Sequence, residues 1–298
     1  MDPILEADAV IQRESSALWE ALSPLGRRAR QPANFLPLQS VEARGKPFNA
    51  TIGQITDGHG RAVPLSPMAA ALAGLDDAEC SRAFLYSPVD GLPELRRAWR
   101  DWQRRGQRPE LPSSLPIVTV GPAHARCLAA ELFVAEGRSV VLPQPCQPEI
   151  RDLFTQRLGS CPFAGRLPEL PIGEPAVVLL AAIGAEIDML VETAEHRPLI
   201  VIVDDTWEDL ERPSQSPFWS LAGRHPNLVP IKIDGADGHL GFPGGRVGFL
   251  TFPFEPESPV AVALESKVKM LLRAEAGSPS AATQVVLLRA LQTLQKGI

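Results

Sequence analysis

Short apolar runs recur from residue 117 onward, and segments with helical spacing separate them. Each run is four to six residues long and rich in β-branched residues, which is typical of strands covered on both faces. Strands that alternate with helices predict a three-layer α/β fold with a mostly parallel sheet. The predicted strands are 117–120, 139–142, 177–181, 199–203, 228–233 and 247–252.

The apolar positions between and after these strands recur at helical spacing. The predicted helices are 13–22, 123–133, 149–154, 260–273 and 281–294. The last of them carries an apolar face that either folds back on the chain or meets another chain. That face consists of Val285, Val286, Leu288, Leu291 and Leu294.

Composition narrows the classes of function. The 298 residues carry a net charge of −6 without a basic stripe, so we expect no nucleic-acid partner. The apolar runs are too short to span a bilayer, and the N-terminus lacks the pattern of an export signal, so we expect a cytoplasmic protein without membrane segments. The four cysteines show no metal-binding spacing and are expected to be reduced. Only five lysines occur against 24 arginines, so a reaction that needs a lysine has few positions available.

Several segments follow one another in an order that resembles a known enzyme family. Residues 86–96 read Y-S-P-V-D-G-L-P-E-L-R, residues 203–207 read V-D-D-T-W, and residues 244–249 read G-G-R-V-G-F. These segments are similar to motifs of the class I/II aminotransferases, which share fold type I of the transferases that depend on pyridoxal phosphate (PLP). Further similar segments are 48–53, 118–121, 140–143, 232–236 and 273–284.

The resemblance implies a division of the chain. Residues 1–45 would be an N-terminal arm and linker, and residues 46–275 the large domain of an aminotransferase. Residues 276–298 would begin the interdomain helix, with the small C-terminal domain absent. Because family members build their sites across a dimer interface, the resemblance also implies a homodimer.

It further implies roles for individual residues. Asp204 stands where the family places the carboxylate that pairs with the pyridinium nitrogen of PLP, and Arg246 where it places a phosphate-binding arginine. Tyr86, the only tyrosine, corresponds to the residue that reaches the phosphate in the partner subunit. Gly121 belongs to the phosphate-binding turn, and Trp207 replaces a tyrosine that contacts the phenolic oxygen of the cofactor.

The chain departs from the family at the position that matters most for PLP chemistry. The family's Schiff-base lysine lies eight residues before the phosphate-binding arginine, and that position is Gly238 here. Lys232 lies upstream within a predicted strand and resembles a second lysine of related sequences. The resemblance therefore implies that no Schiff base forms at the usual place.

Other departures point the same way. The asparagine expected after strand 177–181 is missing from residues 182–186, and no aromatic residue stands near Cys146 to stack on the cofactor ring. In the phosphate-binding turn, Pro122 removes a backbone donor and Ala123 a side-chain donor. The arginine that grips the substrate carboxylate would belong to the absent small domain.

These observations favour an aminotransferase-like protein that no longer transaminates and works without PLP. Its old cofactor cleft would bind a small-molecule ligand or perform different chemistry. The candidate catalytic residues there are Asp237, His239 and His124, and Asp237 and His239 would form an acid–base pair in a loop. No metal site is predicted.

Two alternatives remain open at this stage. In one, PLP or pyridoxamine phosphate binds non-covalently with Asp204 and Arg246 as anchors, and His239 replaces the lysine as proton shuttle. In the other, the chain is a non-catalytic subunit that pairs with an intact aminotransferase and completes its site with Tyr86.

Overall fold

The computed structural model describes residues 3–29, 41–43, 46, 56–57, 59, 61–107, 111–143, 146–163, 175–180, 187–207 and 216–296. Three predicted features lie wholly or partly outside these residues: residues 30–40 of the N-terminal arm and linker, the motif-like segment at 48–53 and the segment 182–186.

Seven strands of the described residues form one sheet in the order β1-β7-β6-β5-β4-β2-β3. Strand β7 is antiparallel to β1 and β6, and the other pairs are parallel. The α/β prediction with a mostly parallel sheet is therefore confirmed, and only the two-residue β3 was not predicted. The strands are β1 (Ile117–Val120), β2 (Ser139–Val141), β3 (Cys161–Pro162), β4 (Ala176–Leu180), β5 (Leu199–Asp204), β6 (Leu228–Gly235) and β7 (Val247–Thr251).

Helices cover both faces of the sheet. The helices are α1 (Pro3–Glu14), α2 (Ser16–Ala21), α3 (Pro24–Arg28), α4 (Ser66–Ala73), α5 (Asp77–Ala83), α6 (Pro93–Gln103), α7 (Pro122–Phe133), α8 (Pro148–Asp152), α9 (Ile187–His196), α10 (Pro217–Leu221), α11 (Ala236–His239), α12 (Pro259–Glu275) and α13 (Ala281–Lys296). Helices α7, α8 and α12 share a core with the first face, which includes Ile202, Ile233 and Leu250. Helices α4, α6 and α13 cover part of the second face, and α9 and α10 cover the rest.

Alternation along the strands sends neighbouring side chains to opposite faces. In β5, Ile202 belongs to the first face and Val203 to the second. The end of β5 therefore directs Asp204 toward the first face, where α7 begins. Most of the predicted site residues lie near this edge of the sheet.

Helix α13 covers its apolar face within the chain itself. Val285, Val286, Leu288 and Leu291 are buried against α4 and α6 in the core of the second face. Of the two arrangements that the sequence left open for this face, the structure has the one in which it folds back on the chain.

One local prediction near the start of the sequence differs from the structure. The single helix predicted for residues 13–22 is wrong, because α1 ends at Glu14 and α2 begins at Ser16. Ser15 separates them with extended backbone angles, and its hydroxyl accepts a hydrogen bond from the N–H of Leu18 at 3.3 Å. A serine in this position caps a new helix rather than continuing the old one.

None of the helices among the described residues is both long enough and apolar enough to cross a membrane. All four cysteines are free thiols.

Candidate functional site

The carboxylate of Asp204 is engaged by an arginine that sequence reasoning missed. Arg126, on the second turn of α7, donates from Nε to Asp204 Oδ2 at 2.9 Å and from Nη2 to the same oxygen. The other oxygen, Oδ1, accepts from the hydroxyl of Thr206 at 2.5 Å. Asp204 is only 7% exposed, so this is a largely desolvated ion pair. The available signal in the sequence was an arginine in a mostly apolar helix.

A second carboxylate engages Arg246. Its Nη1 lies 3.1 Å from Asp237 Oδ2, and the arginine side chain stays about half exposed. Burial raises the pKa of Asp237 to about 6, although Arg246 opposes this shift. The other oxygen, Asp237 Oδ1, is buried and has no hydrogen-bond partner within the described part of the chain.

Arg246 reaches this position from an unusual backbone conformation. Its φ is 48°, in the left-handed region that disfavours residues with a Cβ. Such conformations cost about 1–3 kcal/mol and cluster at functional sites. The conformation follows the short 3₁₀ turn Pro243–Gly245 and precedes β7.

Gly121 provides the room for the Arg246 side chain. A Cβ at Gly121 would lie 2.5 Å from Nη2 of Arg246 and 2.7 Å from its central carbon, and the φ of Gly121 is 81°. Glycine is therefore the residue that fits here. Gly121 also caps the start of α7, with Pro122 in its first turn.

Gly238 packs against the residues that follow β5. A Cβ at this position would lie 2.1 Å from the carbonyl oxygen of Thr206 and 3.0 Å from Cε3 of Trp207. Residues 236–239 form helix α11 and not the predicted loop. A helical turn packs its backbone tightly against its neighbour, which leaves no space for a side chain at Gly238.

His239 and Asp237 do not form an acid–base pair in this structure. His239 is 4% exposed, its Nε2 lies 3.1 Å from the carbonyl oxygen of Asp205, and its ring meets Trp99 edge-on. Burial lowers the pKa of His239 and favours the neutral ring. Asp237 instead contacts Arg246, so the two side chains have separate partners.

His124 lies in a third environment. Its Nε2 is 2.8 Å from Glu275 Oε2 at the end of α12, and its Nδ1 accepts from the N–H of Val120 at 3.2 Å. The structure therefore does not bring the three candidate catalytic residues together. Tyr86 and Trp207 are 97% and 62% exposed.

Lys232 is enclosed in a polar cluster on the second face. Its Nζ lies 2.5 Å from Asp205 Oδ2 and 3.7 Å from Asp234 Oδ2, and the side chain is 1% exposed. Asp234 also accepts from Trp99 Nε1 at 3.0 Å and Gln103 Nε2 at 2.9 Å. Sequence reasoning missed this cluster because its members come from three separate segments of the chain, at 99–103, 205 and 232–234.

Within the described ranges, no group of three or more histidine, cysteine, aspartate or glutamate side chains could hold a metal ion.

No protein-family model matches the sequence, and no curated protein matches it. Solved structures do. An aminotransferase from Anaerococcus prevotii has a TM-score of 0.69 at 16% identity, covering 88% of this chain and 74% of that one. A putative aspartate aminotransferase from Leishmania major Friedlin has a TM-score of 0.67 at 17% identity, covering 95% and 77%. A multiple-substrate aminotransferase from Thermococcus profundus has a TM-score of 0.66 at 13% identity, covering 93% and 72%.

The chain therefore has the α/β fold of the PLP-dependent aminotransferases, over about three quarters of the length of these structures. The resemblance inferred from the sequence motifs is confirmed at the level of the fold.

Proposed function

We propose that this protein is an aminotransferase-like protein that forms no Schiff base with PLP and does not transaminate. The cleft around Asp204 and Arg246, which corresponds to the cofactor site of the family, binds a small molecule or performs other chemistry without PLP. The observation that carries the proposal is the packing of Gly238, because the position assigned to the Schiff-base lysine has no room for a side chain.

The steric argument concerns backbone rather than a movable side chain. A Cβ on Gly238 would overlap the carbonyl oxygen of Thr206 at 2.1 Å. Backbone contacts of this kind yield only if an element shifts, and Thr206 follows β5 at the centre of the sheet. A lysine at this position would therefore require α11 to move away from the strand end.

The charges of the cleft support the same proposal. PLP needs a carboxylate for its ring nitrogen and cationic or N–H donors for its phosphate. Asp204 already holds Arg126, and Arg246 already holds Asp237. A bound phosphate would lie beside the Asp237 carboxylate, and like charges at short range in a poorly solvated site repel. These residues do not suit the cofactor.

Lys232 does not offer a replacement amine. A Schiff base requires a neutral amine that reaches the aldehyde, whereas the Lys232 ammonium is buried and paired with Asp205. Its strand directs it toward the second face, away from Asp204.

The test is incubation of the purified protein with PLP, followed by borohydride reduction and peptide mass mapping. We expect no visible absorbance band of a Schiff base and no stoichiometric adduct. Gly238→Lys should also fail to gain a band, and it should unfold at lower denaturant concentration than Gly244→Lys. Gly244 is the matched control because a Cβ there meets nothing within 4 Å.

A stoichiometric pyridoxyl adduct on Lys232 would overturn the proposal. Equilibrium dialysis with pyridoxamine phosphate tests the alternative in which the cofactor binds non-covalently. Retention at micromolar concentration that is lost in Arg246→Ala would replace the proposal with non-covalent cofactor binding.

We also propose that the protein associates with a second copy of itself. Phe84, Leu85 and Tyr86 are consecutive and 92%, 65% and 97% exposed, although they follow a well-capped helix, α5. A contiguous exposed apolar segment of this kind is typical of an interface. Light scattering should give the mass of a dimer, and Phe84→Ser with Leu85→Ser should give a monomer. Leu72→Ser, another exposed apolar position, is the control.

A further inference from the structure

A pocket with a mainly apolar lining opens on the second face of the sheet, apart from the Asp204 cleft. Its volume is about 240 Å³, and it lies between the start of α4, the end of α6, α11 and the end of α13. Met68, Trp102 and Leu240 are buried at its floor, whereas Leu65 and Ser66 at its edge are exposed. The pocket therefore reaches the surface, and its buried part is formed by Met68, Trp102, Leu240 and His239.

Three residues with polar side chains line this pocket, namely Ser66, Arg105 and His239, and of these only His239 is buried. The residue is 4% exposed, and its Nε2 lies 3.1 Å from the carbonyl oxygen of Asp205, a contact that requires the ring to donate. The proton of a neutral ring is then on Nε2, and Nδ1 is an acceptor. Among the residues that the structure describes, nothing donates to Nδ1.

The neutral state of His239 follows from its surroundings. Asp234 and the Asp205 carbonyl favour a charged ring, but burial and the nearby Lys232 ammonium oppose it, and burial is the largest effect. Trp99 meets the ring edge-on, with centroids 5.9 Å apart. The histidine is thus held in one orientation with a single unused acceptor.

We propose that this pocket binds a small planar aromatic molecule that carries one hydrogen-bond donor, such as an N–H of an indole-type ring, and that His239 Nδ1 accepts that donor. The site is separate from the Asp204 cleft, so it does not rest on the function proposed above.

The size and chemistry of the pocket fit this class of ligand. An apolar cavity of about 150 Å³ holds benzene, so a volume of about 240 Å³ accommodates one or two fused rings. The lining of Leu65, Pro67, Met68, Leu240 and Leu294 favours an apolar ring. The guanidinium of Arg105 lies over the Trp102 ring, 3.1 Å from its centroid. An acceptor such as His239 Nδ1 among apolar side chains favours a ligand that carries a donor.

The experiment uses the full chain with indole as probe and 1-methylindole as its donor-free match, followed by ligand-observed NMR titration. We expect saturable binding of indole at one site and binding of 1-methylindole that is about fivefold to tenfold weaker, as for the loss of one neutral hydrogen bond. In His239→Phe the two probes should bind equally. Equal binding of the two probes to the native protein would overturn the role of His239.

A second variant tests the location and keeps the proposal falsifiable if His239→Phe does not fold. Leu294→Trp fills the pocket from α13 and should abolish indole binding, whereas Leu72→Trp, on the exposed side of α4, should leave it unchanged. Circular dichroism establishes that both variants are folded. Indole binding that persists in folded Leu294→Trp, or the absence of saturable binding to the native protein, refutes the site.

Discussion

Two neighbouring aspartates at the end of β5 belong to two different kinds of ion pair. Asp204 faces α7 and binds Arg126 at an edge of the sheet where Arg246 and Trp207 reach solvent. Asp205 binds Lys232 inside the second face, where the lysine is 1% exposed. The two consecutive residues Asp204 and Asp205 therefore point to different faces of the sheet, one toward the cleft and one into the core.

The difference shows how this chain uses charge. In the dry cluster, every charge depends on its partner, because removing one partner leaves the other uncompensated. In the cleft, the Asp204–Arg126 pair is also largely desolvated, but Arg246 is about half exposed and can exchange its partner for a ligand at lower cost. The dry cluster of Lys232, Asp205 and Asp234 fixes the end of β5 against β6. In the cleft, the Arg246 side chain remains able to change its partner.

The largest loss of stability is expected when the dry cluster loses its lysine. Lys232→Met should leave Asp205 charged and buried, and should lower the free energy of unfolding by about 3–5 kcal/mol. Urea denaturation measures this. Lys267→Met, at an exposed position of α12, is the control and should stay within about 0.5 kcal/mol of the native protein. Equal stability of the two variants would show that the Lys232 pair is not a dry one.

The free energy of unfolding should fall less when the cleft loses the cation of Arg126. Arg126→Met removes two charge-assisted hydrogen bonds from Asp204, and we expect a loss of about 1.5–3 kcal/mol in the free energy of unfolding. Arg151→Met, at an exposed position of α8, should have little effect. A loss as large as that of Lys232→Met would contradict the comparison of the two faces.

A smaller loss is expected from a single methyl group at the meeting point of α11 and β5. Gly238→Ala places a Cβ against the Thr206 carbonyl, and overpacking of this kind costs about 1–3 kcal/mol. Gly244→Ala, in open space, should be neutral or slightly stabilising. Equal thermal midpoints for the two alanine variants would mean that α11 does not pack as described.

The cleft should also make the stability of the protein depend on pH. The pKa of Asp237 is raised from 3.8 to about 6, so between these values the folded state holds a proton that the unfolded state has already released. The stabilising contribution is present below the unfolded pKa and is lost as the pH rises through the folded pKa, by roughly 3 kcal/mol.

Subtraction isolates this contribution from other titrating groups. The difference in unfolding free energy between the native protein and Asp237→Asn should change between about pH 3 and about pH 7, which lie on either side of the two pKa values. Asp101→Asn, at an exposed position of α6, should give a flat difference. A flat difference for Asp237→Asn would place its carboxyl in water.

Strands were predictable because each is a local apolar run. Strands β4 and β5 match their predicted runs within one residue at each end, since continuous Val, Ile and Leu are sufficient to specify a doubly covered strand. Helices α4, α5 and α6 were not predicted, although Asp76 and Glu79 form a capping box at the start of α5. Helix α11 was expected as a loop because four residues that include a glycine carry no helical periodicity.

The site was predictable only in part. Motif order predicted that Asp204, Arg246 and Gly121 line one cleft, and in the structure Gly121 lies against the Arg246 side chain. Arg126 was missed because it is 78 residues from Asp204 along the chain. His239 was assigned to the cleft, but the turn of α11 directs it to the second face, where it lines a different pocket.

The sequence by itself determined the layered α/β architecture, the aminotransferase-like order of motifs and the lack of a lysine at residue 238. These are properties of short segments, and short-range physical preferences are sufficient to specify them. Only the tertiary structure decided which charge meets which carboxylate, and which face of the sheet each side chain enters. Pairings such as Arg126 with Asp204 depend on where helices that are distant in sequence pack. The hydrophobic core determines that packing, and no short segment of the sequence encodes it.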